Sequence, residues 1–572
     1  MASMIVIRQF KKAISLIVDC IKKDWLTSVI LFVAFCLYML VIAPSGSRFC
    51  FDGNCGIYYW GAHEHDGVWH LALIESAFSS FSFRFPTYIG QVLSGYNYLL
   101  DLVLFLLTHI GLSSSILYFK IQPLAWFFTF TYLLYRIAKT MHRNVGFIHF
   151  LFSFVFFSAS FGYIIQIVRH GTVLGSSGIP TMQGAVSMTN PQFMWSLCVL
   201  LAMLLVINIG KKTWLLGVLI LVGLGLKFYF ILPAIIIASI YLCSLIYSKS
   251  YSKAIVTAFA VFLGTVTAYL LFYANNGASI GGLVWNPLAI SHQIVEDKNM
   301  WFNQEWVDQR YFLIQAGKFF SPRLWFIEIK TIGLYILFNY GIRLLGIIGS
   351  IAYIVMRKKT SNFSGTMLVI VVACTAVPLL FVQKGTWWNT IQFLYYGIFF
   401  ASILTAQVVW LIINKLHPVI RYGVLAGCLL LFAPATYDIV YNFTQSKNIS
   451  YIPDSEIQAM QFLRTLPDGG VLTQTFEPID SNILPDRYDT AYVSAYSGQQ
   501  TYIADDAQLK LLGINYQTRL ESINQSPCEV LSEVKYVYIR KNRGYGNFQC
   551  LAKQSNMRIV YSNDEVDIWS KL

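Results

Sequence analysis

Charge is scarce in this chain. Only 12% of its 572 residues are charged, against 56% hydrophobic and 16% aromatic. A soluble domain carries about 25% charged residues. One water-soluble core cannot absorb so much apolar mass, and the mean hydropathy of +0.57 agrees. A soluble enzyme, a disordered chain and a disulfide-scaffold toxin are all excluded. The composition is that of a polytopic membrane protein. Acid is scarcer than base, 28 residues against 41, which leaves a net charge of +13. Such an excess would fit nucleic acid, but bases gathered on cytoplasmic loops account for it better. Internal repeats are not evident either. The C-terminal segment lacks a nucleophile elbow, a phosphate loop and zinc spacing.

What is present is a series of apolar runs long enough to span a bilayer. They cover about 26–44, 118–138, 147–168, 191–209, 213–229, 230–248, 254–273, 331–355, 364–383, 390–413 and 421–441. That predicts about eleven transmembrane helices. Residues 1–25 read as an amphipathic basic helix on the cytoplasmic surface, with Arg8, Lys11, Lys12, Lys22 and Lys23 between apolar positions. The clusters Lys139/Arg143, Lys211/Lys212, Lys249/Lys253, Arg357/Lys358/Lys359 and Lys415/Arg421 then all face the N-terminal, cytoplasmic side. Tyr98 to Leu112 is apolar but short, and reads as a membrane-dipping or interfacial segment. A break is expected at Lys227.

This topology leaves outer loops at about 45–117, 169–190 and 274–330, within a membrane module spanning 26–442. The segment 443–572 reads as a separate extracytoplasmic α/β domain. It carries 12 bases and 15 acids, so the net +13 is the sum of two unlike parts. A helix is expected at Ser455–Thr465 and strands at Gly470–Thr475, Val534–Ile539, Arg558–Tyr561 and Val566–Trp569. TAYVSAYSGQQTYIADD reads as strand–turn–strand. Cys50/Cys55 and Cys528/Cys550 lie on the outer side and predict two disulfides in an oxidising compartment. Asn442, Asn448 and Asn524 begin glycosylation sequons on the same side.

Polar side chains crowd the first outer loop: His63, Glu64, His65, Asp66, Trp69 and His70. Asp66 opens an apolar stretch, Val68 to Phe83, expected to be a helix at the membrane surface. One account makes Asp66 the N-cap of that helix. The other makes it a general base, taking a proton from a hydroxyl as that hydroxyl attacks an activated sugar. The helix dipole would keep it ionised in either case. Glu64 could serve as a second carboxylate. His63 and His65 are candidate ligands for a divalent metal, although loop histidines are more often solvated or hydrogen-bonded. No other cofactor is indicated.

The run HDGVWHLALIES after a first helix resembles the first outer loop of the GT-C class of integral membrane glycosyltransferases. NPQF at Asn190–Phe193 and GLGLKFYF around Lys227 fit the same pattern, which covers roughly the first 440 residues. The resemblance implies a polyprenyl-phosphate sugar donor, an extracytoplasmic active site in the cell membrane, and inverting transfer with Asp66 as base. The acceptor would be a glycan, lipid or protein. One departure is plain: the second outer loop, 169–190, contains no acid. A second acid would have to be Glu64, or Glu296 or Asp297.

A donor phosphate needs cations near the outer surface. Arg169, Lys227, Arg310, Arg343 and Lys384 are the candidates. Arg343 lies inside a predicted span, where an ionisable residue is a functional candidate by default; pairing with a neighbouring helix is the alternative. His65, Trp69, His70, Asn190, Gln192, Trp388 and Gln392 are candidate substrate contacts. A lipid-linked saccharide transporter or flippase is the main competing reading. A non-catalytic membrane assembly protein is another.

Overall fold

The computed structural model describes residues 24–79, 83–175, 190–274, 282–356, 363–384, 387–445, 449–474, 483, 485 and 490–572. The expected amphipathic helix at 1–25 lies almost wholly outside the described residues. The chain divides into two compact units. One comprises Met1–Tyr38, Ala125–Ala268 and Gly282–Tyr441; the other comprises Met39–Leu124, Tyr269–Gly281 and Asn442–Leu572.

The first unit is helical. Seven helical stretches among the described residues are long and apolar enough to cross a membrane: Trp25–Ile42, Pro191–Ile209, Phe228–Tyr247, Tyr251–Tyr273, Pro322–Val355, Ile391–Ile413 and Pro418–Thr444. An eighth is a pair, Val145–Phe157 and Gly162–His170, bent by 52° at a short break. The chain is therefore a membrane protein. The eleven expected spans each meet a helix, but three fall short on the combined test of length and apolarity. Leu215–Leu226 has 12 residues and Ser364–Leu380 has 17. Gln122–Met141 is long enough but carries Arg136 and Lys139 in its last turns. The expected break at Lys227 is present: the helix ends at Leu226 and Lys227 is extended, with φ −157°.

Arg343 sits between the helices Pro322–Tyr340 and Leu344–Val355, in a short 3₁₀ turn. It is fully buried. Its Nε donates to the Ser158 and Ser402 hydroxyls at 3.1 and 3.0 Å, and its Nη2 donates to the Ser158 carbonyl. Ser158 caps the helix Val145–Phe157 at the bend. A helix end leaves carbonyls without partners. Arg343 supplies one of them with a donor where two helices break.

The second unit is mixed. Ser47–Phe51 and Asn54–Trp60 form a hairpin through Asp52-Gly53, both at positive φ (50° and 84°), as a two-residue turn requires. Cys50 stands directly opposite Cys55 in the register, and the two are disulfide-bonded. Ile449–Pro453 adds a third antiparallel strand along Asn54–Trp60. A five-stranded sheet fills the C-terminal part, in the order Gln500–Thr501, Gly470–Thr473, Tyr536–Arg540, Val566–Lys571, Met557–Ser562. The expected helix and four strands are there. The expected strand at the start of TAYVSAYS is not, because Tyr492–Ser497 is a helix. Cys528 and Cys550 are paired, with their Cα atoms 6.3 Å apart.

Leu99–Thr108 is a helix of ten residues. At about 1.5 Å per residue it reaches about half the thickness of a bilayer core. Its shortness agrees with reading it as something other than a span.

Candidate active site

The strand Asn54–Trp60 leads directly into a 3₁₀ turn, Gly61–Glu64, and then into the helix Asp66–Ala72. That helix continues through a wider turn, Leu73–Ala77. It does not lie on a surface as expected. Val68, Leu71, Ala72, Leu73 and Ile74 are all buried in the unit's core. Gly67 lets the helix close on its neighbour: a Cβ there would come within 2.8 Å of the Phe119 ring. This is a physical reason for glycine after Asp66.

Asp66 is the first helical residue and not the cap. The capping position falls to His65, whose side chain makes no capping hydrogen bond. The Asp66 side chain is 51% exposed, in contrast to the buried residues that follow it. His65 lies beside it, with Nδ1 3.7 Å from an Asp66 carboxylate oxygen. The far side of the same ring meets Asp505, with Nε2 3.0 Å from Oδ1. Asp505 is completely buried. It sits in the left-handed region, with φ 52°, and caps the helix Asp506–Leu511 by accepting from the Gln508 amide.

The result is a carboxylate–imidazole–carboxylate row, Asp505–His65–Asp66. Burial alone would lower the His65 pKa. Asp505 and Asp66 outweigh that and raise it to about 11. His65 is therefore an imidazolium at neutral pH, and its charge favours an ionised Asp66.

The neighbouring polar groups each have distinct surroundings. His63 is pushed down to about 4, by burial first and by Lys120 in addition, against an opposing pull from Asp66. Its Nδ1 shares a hydrogen bond of 2.9 Å with the Ser45 hydroxyl, and its ring packs against Phe119 and Phe443. Glu64 accepts from the Ser450 hydroxyl. His70, one turn after Asp66, bonds the buried Asp101 at 3.0 Å and stacks on Tyr118. The Tyr96 hydroxyl is raised well above its usual range by burial and then by Asp101, Asp66 and Asp505, so it is a neutral phenol among three carboxylates.

Several expectations need correction. Trp69 is 0% exposed and packs on Phe85 and Tyr96, so it is a core residue and offers no face to a sugar. The pair His63 and His65 does not form a metal centre: one ring turns to Ser45 and the other to Asp505. Among the described residues, no group of three or more His, Cys, Asp or Glu side chains could hold a metal ion.

In the helical unit, Arg310 is already matched by carboxylates. Its Nε donates to Glu328 at 2.9 Å and its Nη1 to Glu296 at 3.3 Å, and Glu328 also holds His292. Asp297 is occupied locally, accepting from the Asn299 amide. Arg343 is committed to the helix breaks. Neither arginine is placed as a phosphate ligand. Asn190 caps the helix Pro191–Ile209 by accepting from the Phe193 amide, and Gln192 is buried.

Lys227 and Lys384 keep better company. The Lys227 ammonium lies 5.9 Å from the centre of the Tyr229 ring. The Tyr229 hydroxyl donates to Gln383 and accepts from Asn389, which in turn accepts from Gln392. Lys384 follows Gln383 and is exposed. The Trp388 side chain lies outside the described residues. Arg169 belongs to another neighbourhood, over the Trp301 ring and donating to the Phe302 carbonyl.

Asp505 is the site residue that the sequence did not reveal. It stands in the run YIADD, where two adjacent acids look like a solvated turn. A single sequence carries no signal that one of them is buried against a histidine of the first loop.

No family model matches the sequence, and no curated protein matches it significantly. The fold does match solved structures. An oligosaccharyltransferase from Archaeoglobus fulgidus aligns with 91% of this chain and 70% of its own, at 14% identity and a TM-score of 0.50. The mycobacterial arabinofuranosyltransferase AftD aligns with 96% of this chain and 40% of its own, at 12% identity and a TM-score of 0.47. The chain has the GT-C membrane glycosyltransferase fold that the sequence resembles.

Proposed function

We propose that this protein is a membrane glycosyltransferase, taking a sugar from a polyprenyl-phosphate donor to an acceptor hydroxyl on the extracytoplasmic face of the cell membrane. The observation that carries this reading is Asp66: an exposed carboxylate opening a buried helix, beside a charged His65, in a chain with the GT-C fold. In the proposed step the acceptor oxygen attacks the anomeric carbon as its proton passes to Asp66. The bond from anomeric carbon to phosphate oxygen breaks, and polyprenyl phosphate leaves with the electron pair. A single displacement inverts the anomeric centre. Within the helical unit, Lys227 and Lys384 are the cations proposed as phosphate ligands. The two disulfides of the mixed unit support an oxidising, extracytoplasmic side for Asp66.

The test uses the purified full chain, reconstituted in vesicles, with a panel of polyprenyl-phosphate-linked hexoses and pentoses. Donor consumption is followed by chromatography. Asp66→Asn should lower the rate by at least about 10²-fold while leaving the melting temperature unchanged. Full activity in that variant removes Asp66 as the base.

A further inference from the structure

The buried carboxylate behind His65 has no part in the step just described. We propose that Asp505 is a positioning residue for Asp66, acting through a protonated His65, so that the C-terminal segment completes the site formed by the first loop. This rests on reading Asp66 as the base. The geometry carries it in three parts. Asp505 is fully buried, and its Oδ1 is 3.0 Å from His65 Nε2. The opposite ring nitrogen faces Asp66 at 3.7 Å. The same Asp505 is fixed by its own backbone, because it caps the helix Asp506–Leu511. An imidazole ion-paired at one nitrogen with a buried carboxylate of fixed backbone is restrained in position. Its other nitrogen then presents a cation to Asp66 at a fixed place, close enough to keep the carboxylate ionised and aimed.

His65 is acted on by Asp505 and Asp66. Asp66 in turn acts on His63 and Tyr96, Asp505 and Asp101 act on Tyr96, and Lys120 acts on His63. His63 stays neutral above about pH 4, and Tyr96 is neutral throughout the accessible range. Among the described residues, His65 is thus a cation next to Asp66 that depends on Asp505.

Asp505→Asn isolates the charge. Asparagine caps helices as well as aspartate does and tolerates the left-handed region, so the fold of this turn is kept. His65→Gln keeps a donor toward Asp505 but removes the cation.

The experiment combines two readouts on the full chain in detergent micelles. In ¹⁵N-histidine NMR, one imidazole should remain doubly protonated through pH 9. That signal should vanish in His65→Gln. In Asp505→Asn it should titrate near the ordinary value of about 6.5. With the most active donor of the panel above, Asp505→Asn should lower kcat by up to about 10²-fold at an unchanged KM. Its pH–rate profile should gain an inflection near pH 6.5. A His65 imidazole that titrates normally in the unmodified protein, or that stays charged in Asp505→Asn, overturns the pairing. An Asp505→Asn enzyme with the parent kcat and pH profile overturns the positioning role. Activity retained in Asp66→Asn instead defeats the base reading, while the NMR result still reports on the His65–Asp505 pair by itself.

Discussion

Two histidines separated by one residue respond to burial in opposite ways, and the sign of each follows from its neighbours. His63 faces aromatic rings and a hydroxyl, so its charged form is disfavoured and its pKa falls to about 4. The unfolded chain, at about 6.5, binds a proton that the folded one refuses. His63 therefore stabilises the fold above about pH 6.5, and that contribution is lost as the pH falls toward 4. The ceiling is about 1.4 kcal/mol per pH unit, or about 3 kcal/mol across the window. His65 faces two carboxylates and is raised to about 11, so its contribution is complete below about 6.5 and declines as the pH rises toward 11. The His63 contribution is measurable as a difference. The melting temperature of the unmodified protein should fall more steeply from pH 6.5 to 4.5 than that of His63→Gln. Parallel curves would show that His63 does not carry the acid sensitivity.

At the scale of elements, the breaks in helices matter more than their lengths. Arg343 joins the bend after Phe157 to the break after Tyr340 and to the helix Ile391–Ile413, through Ser158 and Ser402. Arg343→Met should cost about 3–5 kcal/mol, because it strips buried hydroxyls and a helix-end carbonyl of a charged donor. A detergent thermal-shift assay reads this as a lower melting temperature. If Arg343 instead binds the donor phosphate, the variant keeps its melting temperature and loses donor affinity.

Legibility divides along the same line. Periodicity and hydropathy locate the helices, the break at Lys227 and four strands of the C-terminal sheet, because each is a local pattern. The motif around Asp66 is legible for the same reason: Asp66, Gly67 and His70 share one helix. Tyr492–Ser497 is a helix although its aromatic and β-branched residues favour strands locally. Packing against the helix Asp66–Ala72 and the bond from Tyr59 to Tyr496 override that preference. Arg310, Arg343 and Trp69 look like ligands in sequence because the partners that bury them lie on other elements of the fold. Asp505 was hidden by the same distance.

For the whole molecule, parity decides which side of the membrane the site is on. With a cytoplasmic N-terminus, an odd number of crossings places the C-terminal segment outside, and an even number returns it inside. Seven long apolar stretches are odd, eight with the bent pair are even, and the eleven runs of the sequence are odd again. Hydropathy alone does not choose among these counts. Under the positive-inside rule the basic clusters favour eleven, because keeping them all on one side requires Gln122–Met141, Leu215–Leu226 and Ser364–Leu380 to cross as well as the bent pair. The native sequon Asn524-Gln-Ser reads the outcome directly. Asn524 is exposed and belongs to the mixed unit that holds Asp66 and Asp505. Translated into microsomes, the full chain should gain a glycan that disappears in Asn524→Gln. A chain with no glycan at Asn524 and with Lys358 open to a lumenal amine reagent would reverse the topology. The proposed base would then face the cytoplasm, where the two disulfides have no oxidising environment to form in.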